Sequence, residues 1–468
     1  RLKLTGKPSA KQLHNLGGTL PAEHKEFIDK CLAEFDARKH IQLAQESKAL
    51  AAGTGSVSDI SVPTVWERTV LREQLYELVA LNFVNTGTAP FADTVRIPYS
   101  FRDTTAAGRD SIRVYEGQGI PRAGVKQTYD EARPLPQKIA FLLSDEMQLL
   151  SNNGGIDYDA MSDNIRNCGR IVGEDTERLL FDEHVRASDE YAVVNVPADA
   201  IAGVNGTNKY FIMANFPVVK PRVIKDLKGV TQSTVNPIVV TYNSVVRSEY
   251  DGTNTQSAGL YYVMDYNIGE VYIVSELGVV QTPANATPFT INYYYTTNAY
   301  KFDTDLGALT VQQKWDNFLY QFGLRKSVIE DQRFYATNFG LMSGNVRSQI
   351  EQAGGFQANF QKSGTNLTTD GNLGVIKNVP QYKTICPGLM MGDRRVVLGQ
   401  REQIRFRMLK PWSMEALQMA RTAGGLFTAQ HEAYGTQWIV VQTPTLLKGS
   451  LTTMVVYSAS ARVARTTP

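Results

Sequence analysis

Apolar residues recur along this chain with two different periods, and the boundary between them falls near residue 190. From Asp157 to about Glu183, Met161, Ile165, Cys168, Val172 and Leu179 are spaced 4, 3, 4 and 7 apart. That spacing predicts one narrow apolar seam along a helix roughly 40 Å long, suited to lie across a sheet. Between about Tyr191 and Tyr300 the period drops to two. In "FTINYYYTTNAY", Phe289, Ile291, Tyr293 and Tyr295 share one face and Thr290, Asn292, Tyr294 and Thr296 the other, as in a half-buried strand. "YYVMDYNIGEVYIV" reads as two strands around Asn267, Ile268 and Gly269, with Gly269 in the left-handed position of a three-residue turn. The stretch predicts a separate, sandwich-like β unit.

The flanks read differently. Residues 1 to about 18 are polar, carry Arg1, Lys3, Lys7 and Lys11, and predict an extended arm; a helix from about Ala22 to Ala51 follows. "VPTVWERTVLREQLYELVALNFVNTG" mixes a short helix with an apolar run and leads into a core. Beyond it, two strand-like runs flank a tip rich in Thr, Ala, Gly, Arg and Asp, the pattern of a long hairpin with a solvated end. After residue 300 helical periodicity returns, and the last hundred residues alternate short strands with one helix expected near Ser413 to Ala423.

Composition changes this picture little. At 468 residues the chain is long enough for two to four structural units. With 48 Lys and Arg against 46 Asp and Glu, bulk charge gives no drive toward nucleic acid or membranes. Cys31, Cys168 and Cys386 are odd in number and far apart, which fits buried thiols in a reducing compartment. No apolar run reaches the ~20 residues that span a bilayer, so no membrane partner is expected. The first residue is Arg1 in place of methionine, which leaves processing and truncation both open.

Candidate chemistry is sparse. "VYEGQGIPRAGVKQ" gathers Gly117, Gly119 and Gly124, but Arg122 stands where a dinucleotide loop needs its third glycine, and no helical stripe follows to receive a phosphate. His14, His24, His40, His184 and His431 form no metal-ligand spacing and read as surface or helix residues. Asp159 and Asp163 read as a solvated helix face. No nucleophile context is recognisable. Neither an enzyme nor a cofactor is expected.

The order of elements, a polar arm, a long two-stranded loop, a seam-bearing helix, a mixed domain and terminal strands, resembles the major capsid proteins of tailed bacteriophages. Two stretches carry the likeness. "VYEGQGIPRAGVKQTYDEARPLPQKIAFLLSDEMQLLS" is similar to that family's return strand of the extended loop and entry to the spine helix. "NLGVIKNVPQYKTICPGLMMGDRRVVLGQREQIRFRM" is similar to its strands around a Gly-Asp turn.

The resemblance implies an α+β chain of the Hong Kong 97-type capsid fold. Residues 1–65 would form the N-terminal arm with its helix, 66–91 the entry into the peripheral domain, 92–135 the extended loop, and 136–190 the peripheral domain with the spine helix. An inserted β-sandwich-like domain would span 191–300, the axial domain 301–400, and the return strands of both domains 401–468.

It further implies a homo-oligomer of hexamers and pentamers in an icosahedral shell, assembled in the host cytoplasm. Its partners would be a portal, a cement or decoration protein, and packaged DNA held by non-specific inner-face contacts. In that reading Arg102, Asp103, Arg109, Asp110, Arg113, Glu116 and Arg122 pair with a neighbouring subunit, while Gly117, Gly119 and Pro121 let the loop bend over it. The seam Met161, Ile165, Cys168, Val172 and Leu179 would bury against "QIRFRML" and "WIVVQTP". Some members weld their shells through a loop lysine, but from Arg102 to Gly124 this loop has none, so a noncovalent shell is expected. Many also lose an N-terminal segment to a maturation protease, which fits Arg1. The rivals are a tail, baseplate or adhesin protein and, furthest off, a nucleotide-binding enzyme.

Overall fold

The computed structural model of the chain describes residues 79–102, 115–116, 124–144, 160–252, 259–305, 307, 309–350, 375–384, 388, 390–415, 418–421 and 427–464. The chain divides after Val70 into two units, and every described residue belongs to the second, Leu71–Pro468. Helix and sheet are mixed throughout. The arm and the helix expected at Ala22 to Ala51 lie outside the described residues, as do Cys31 and Cys386.

A short 3-10 turn, Ala80–Phe83, leads into β1 (Asn85–Thr88). Next come β2 (Val95–Arg102), β3 (Val125–Ala132) and β4 (Leu135–Ser144), then the long helix α1 (Ala160–Asp189). The β-rich stretch supplies β5 (Val193–Ala200), β6 (Tyr210–Ile212), β7 (Arg222–Lys225), β8 (Thr231–Val235), β9 (Val239–Tyr242), β10 (Val245–Arg247), β11 (Leu260–Asp265), β12 (Glu270–Ser275) and β13 (Phe289–Thr296). Beyond it lie β14 (Ala299–Asp303), α2 (Val311–Ser327), β15 (Phe339–Met342), α3 (Gly344–Ile350), β16 (Val375–Ile376), β17 (Val379–Lys383) and β18 (Arg395–Gly399). The chain closes with β19 (Arg405–Met414), β20 (Gln418–Arg421), β21 (Phe427–Gln442), β22 (Leu451–Tyr457) and α4 (Ala459–Ala464).

Two sheets and the helix between them build the body. β1, β19, β21 and β20 form one sheet with β4 paired to β21, and β14-β22-β18-β15-β17-β16 form a six-stranded sheet. Helix α1 packs against β4, β21, β18 and β22, so it spans both. Leu180, Phe181 and Val185 of α1 share a solvent-free core with Phe339, Val397, Phe406, Ile439 and Leu451. Each such side chain removed from water stabilises the fold by about 1.5–3 kcal/mol before entropy is counted. On the other side of the six-stranded sheet, Trp315, Phe318 and Phe322 of α2 pack on Phe302, Val396 and Met454. Thr310 starts that helix with a capping box, accepting from the Gln313 N–H while Gln313 reaches back to the Thr310 N–H.

The β-rich stretch builds its own core. Sheet β10-β9-β13-β5 and sheet β11-β12-β6 contribute Phe289, Ile291 and Tyr293 on one side and Phe211, Val271 and Ile273 on the other to one buried cluster. Gly269 does adopt the left-handed conformation, at φ +64°. Four residues, 266–269, separate the paired ends Asp265 and Glu270, where the sequence suggests three.

Three further expectations need correction. The helix expected at Ser413 to Ala423 is strand: β21 runs for 16 residues, longer than β19 can cover, and β20 fills the remaining edge with Gln418 opposite Glu432 and Met419 opposite His431. Pairing along an open edge overrides local helix preference here. Helix α1 runs to Asp189, beyond the expected end near Glu183, because His184, Ser188 and Asp189 are buried and bonded, so the apolar signal fades before the helix does. The helical stretch after residue 305 is broken by the fully buried strand β15.

Candidate assembly surface

β2 and β3 pair along eight residues in strict register, from Val95 opposite Ala132 to Arg102 opposite Val125, and pair with no third strand among the described residues. Alternation divides the ribbon into two faces. Val95, Ile97, Tyr99 and Phe101 share one; Arg96, Pro98 and Ser100 share the other with Val125, Gln127, Tyr129 and Glu131 across the ladder. At its base the first face is held: Val95 and Ile97 pack against Ala132, Leu409 and Val440. The Asp130 carboxylate accepts from the N–H and hydroxyl of Thr445. Burial and the nearby Asp130 charge push the Tyr99 phenol up.

Away from the base this support ends, and Phe101 and Val125 are exposed. Charges on the ribbon pair within the chain, Arg96 with Glu131 at 3.2 Å and Arg133 with Asp93. Arg96 also lies 4.7 Å over the Tyr129 ring.

Of the ten loop residues singled out in the sequence, two are described. Arg102 closes β2 and Glu116 is an exposed turn residue; Asp103, Arg109, Asp110, Arg113, Gly117, Gly119, Pro121 and Arg122 lie outside the described residues. What the sequence reading passed over is the stripe Val95, Ile97, Tyr99 and Phe101. Its period-two alternation in "VRIPYSF" was the available signal.

Helix α1 anchors the body behind the ribbon. Of the seam, Cys168 and Val172 are buried while Met161, Ile165 and Leu179 are half-buried; burial pushes the Cys168 thiol up. Helix α1 packs on β21, which contains "WIVVQ", and "QIRFRML" shares a buried core with α1 through Ile404 and Phe406. The single narrow stripe is a further correction: past Thr176 the helix is buried on several sides.

Five carboxylates in this part each hold a remote segment. Glu177 accepts from the N–H groups of Val79 and Ala80 at 2.9 and 3.0 Å. Asp182 accepts from Met390 and Met391. Burial raises both of these carboxyls, and the amide donors offset it in part. Glu183 accepts from the N–H and hydroxyl of Thr443, and Arg222 bridges Glu183 and Glu190 at 3.1 Å each. Burial alone would raise Glu190, but Arg222 and Lys448 outweigh it and hold the carboxyl below its usual range. Asp189 takes both prongs of Arg395, whose Nε donates to Asn267 Oδ1 at 2.7 Å. Arg222 and Asn267 belong to the β-rich stretch, so α1 ties that stretch to the body by charge.

Among the described residues no group of three or more His, Cys, Asp and Glu gathers to hold a metal, and no helix is long and apolar enough to cross a membrane. His184 is a buried helix residue whose Nδ1 lies 2.7 Å from the Leu180 carbonyl oxygen. The arrangement is suited to holding surfaces in place.

No protein-family model matches the chain, and no curated protein matches it. Solved structures do resemble it. One, from Mycobacterium phage Che8, has a TM-score of 0.45 at 8% identity and covers 85% of this chain and 97% of its own. The capsid structure of the cyanophage P-SCSP1u has 0.46 at 8% identity, covering 86% and 94%. The mature capsid of bacteriophage PhiM1 has 0.46 at 10% identity, covering 86% and 94%. Likeness at this level is too distant to carry a functional argument, which rests on the chain's own residues.

Proposed function

We propose that this chain is the major capsid protein of a tailed bacteriophage, a structural protein without catalytic activity. It assembles as hexamers and pentamers into an icosahedral shell around double-stranded DNA. The observation that carries this reading is the β2–β3 ribbon. Two strands alone are marginal in water. This ribbon extends an apolar stripe from the packed Val95 and Ile97 to the exposed Phe101, beyond the support of its own body. Among the described residues the stripe is left uncovered at Phe101, which suits it to meet another molecule.

In Hong Kong 97-type terms, the ribbon is the extended loop, α1 the spine helix, and the sheet of β1, β4, β19, β20 and β21 the peripheral domain. The six-stranded sheet is the axial domain, and β5 to β13 form the insertion. Each contact between subunits is weak singly; repeated around a ring they become strong through multivalency. The formal charge of +2 gives no reason for tight DNA binding, so inner-face contacts with packaged DNA are non-specific. A portal and a cement or decoration protein complete the virion, and the shell is noncovalent.

Sedimentation of the purified full chain tests the proposal. Above a critical concentration a shell protein gives one fast boundary, absent below it. A monomer at every concentration contradicts the reading, and a broad series of open rings or tubes favours a tail or baseplate role.

A further inference from the structure

The six-stranded sheet carries an exposed aromatic ring at one end and a cavity at the other. Phe334 is 81% exposed and holds φ at +62°, a left-handed conformation unfavourable for a bulky side chain. Its neighbours keep it there. Arg333 donates to the carbonyls of Gly449 and Leu451 and to Asn298 Oδ1. The Tyr335 N–H donates to the Ile329 carbonyl and its hydroxyl to that of Leu446. Ala336 and Thr337 donate to the side chains of Gln400 and Glu330. The backbone on both sides is therefore pinned, and a strained phenyl ring stands in solvent where glycine would fit without strain.

The cavity, about 190 Å³, opens between α3, α4 and the 266–269 turn. Ile268, Val346, Val456 and Ala461 give it apolar walls, Thr304, Asn345, Gln349, Asp393 and Ser458 polar ones, and Arg394 and Arg462 supply guanidinium groups. Arg462 already lies 4.1 Å over the Phe216 ring, and its buried Nε has no hydrogen-bond partner. A cavity of about 150 Å³ is enough to take a benzene ring. Guanidinium groups at its wall favour an aromatic occupant through cation–π attraction.

Strand pairing puts the two features at opposite ends. Phe334 precedes β15, whose first residue Phe339 pairs with Gly399 at the end of β18, and the adjacent Arg333 bonds to Leu451 at the start of β22. Val346 follows β15, Arg394 precedes β18, and Val456 lies near the end of β22. The strands between separate them by about 20 Å, so a chain cannot fill its own cavity.

We propose that Phe334 of one copy seats in this cavity of the next. The contact is head-to-tail, the class that closes into rings. It rests on the self-assembly reading above and names the partner as a second copy of this chain.

Thiol crosslinking tests it. Particles co-assembled from Phe334→Cys and Ala461→Cys chains, mildly oxidised, should give a reducible dimer band that neither variant gives alone. If wild-type and mixed particles form but no such band appears, this contact is overturned and the assembly reading survives. If the wild-type chain forms no particles, the assembly reading fails and the contact with it. Phe334→Gly gives a second readout, because it relieves the backbone while removing the ring. The subunit should melt at the same or a higher temperature, while the critical concentration for assembly rises about tenfold or more, as for loss of an interface anchor. An unchanged critical concentration overturns the proposal.

Discussion

Asp189 at the end of α1 and Arg395 at the start of β18 form a two-pronged ion pair at 3.0 Å with both side chains shut off from solvent. Arg395 has further acceptors in Asn267 and Thr453, so the pair joins the helix, the six-stranded sheet and the β-rich stretch. Removing the acid alone leaves a buried cation. Asp189→Asn should therefore destabilise the subunit by about 3–5 kcal/mol, while Asp189→Leu with Arg395→Met recovers most of that loss. Thermal melts of the three chains check this, and a single variant within about 1 kcal/mol of wild type would show the pair to be dispensable.

His184 gives the fold a pH dependence. Complete burial lowers its pKa to about 4, from an ordinary value of 6.5. Above pH 6.5 both folded and unfolded chains hold it neutral. As pH falls from 6.5 toward 4 only the unfolded chain takes up the proton, and stability drops by up to about 3 kcal/mol. Burial pushes the Asp189 carboxyl up, and the Arg395 guanidinium beside it draws it back down in part. His184→Leu should thus lose less melting temperature than wild type between pH 7 and pH 4.5. Equal losses would mean that the histidine does not control the acid limb.

Gly435 makes room for Trp412. A β-carbon at Gly435 would overlap the Trp412 indole, which reaches across β21 from β19. Gly435→Ala should lower stability by about 1–3 kcal/mol through overpacking, and Trp412→Leu in the same chain should restore part of it. Guanidinium melts give the comparison. Additive losses in the double variant would contradict the clash.

Phe101 separates folding from assembly. It lies on the exposed part of the ribbon, away from the four cores of the body. Phe101→Ser should leave the subunit's stability within about 0.5 kcal/mol of wild type, as for an exposed site, while raising the concentration needed for assembly several-fold. Light scattering against concentration reads the second quantity, and no change in it would remove the stripe from the interface.

Where burial follows sequence periodicity, the sequence was readable. Phe289, Ile291 and Tyr293 alternate with polar residues and are buried as that pattern predicts. Where partners distant in sequence decide, it was not. Asp182, Glu183, Asp189 and Glu190 look like a solvated helix face until Met390, Thr443, Arg395 and Lys448 arrive to bond them. β20 carries little strand signal of its own and forms because β21 has an open edge. In the ribbon, charge drew attention to the tip, while the alternation of Val95, Ile97, Tyr99 and Phe101 was equally visible and marks the apolar face.

Electron microscopy of the purified full-length protein above its critical concentration tests the central claim most directly. The account predicts closed isometric particles of uniform diameter with hexameric and pentameric rings on their surface. Tubes, isolated rings, trimers or a field of monomers would contradict it.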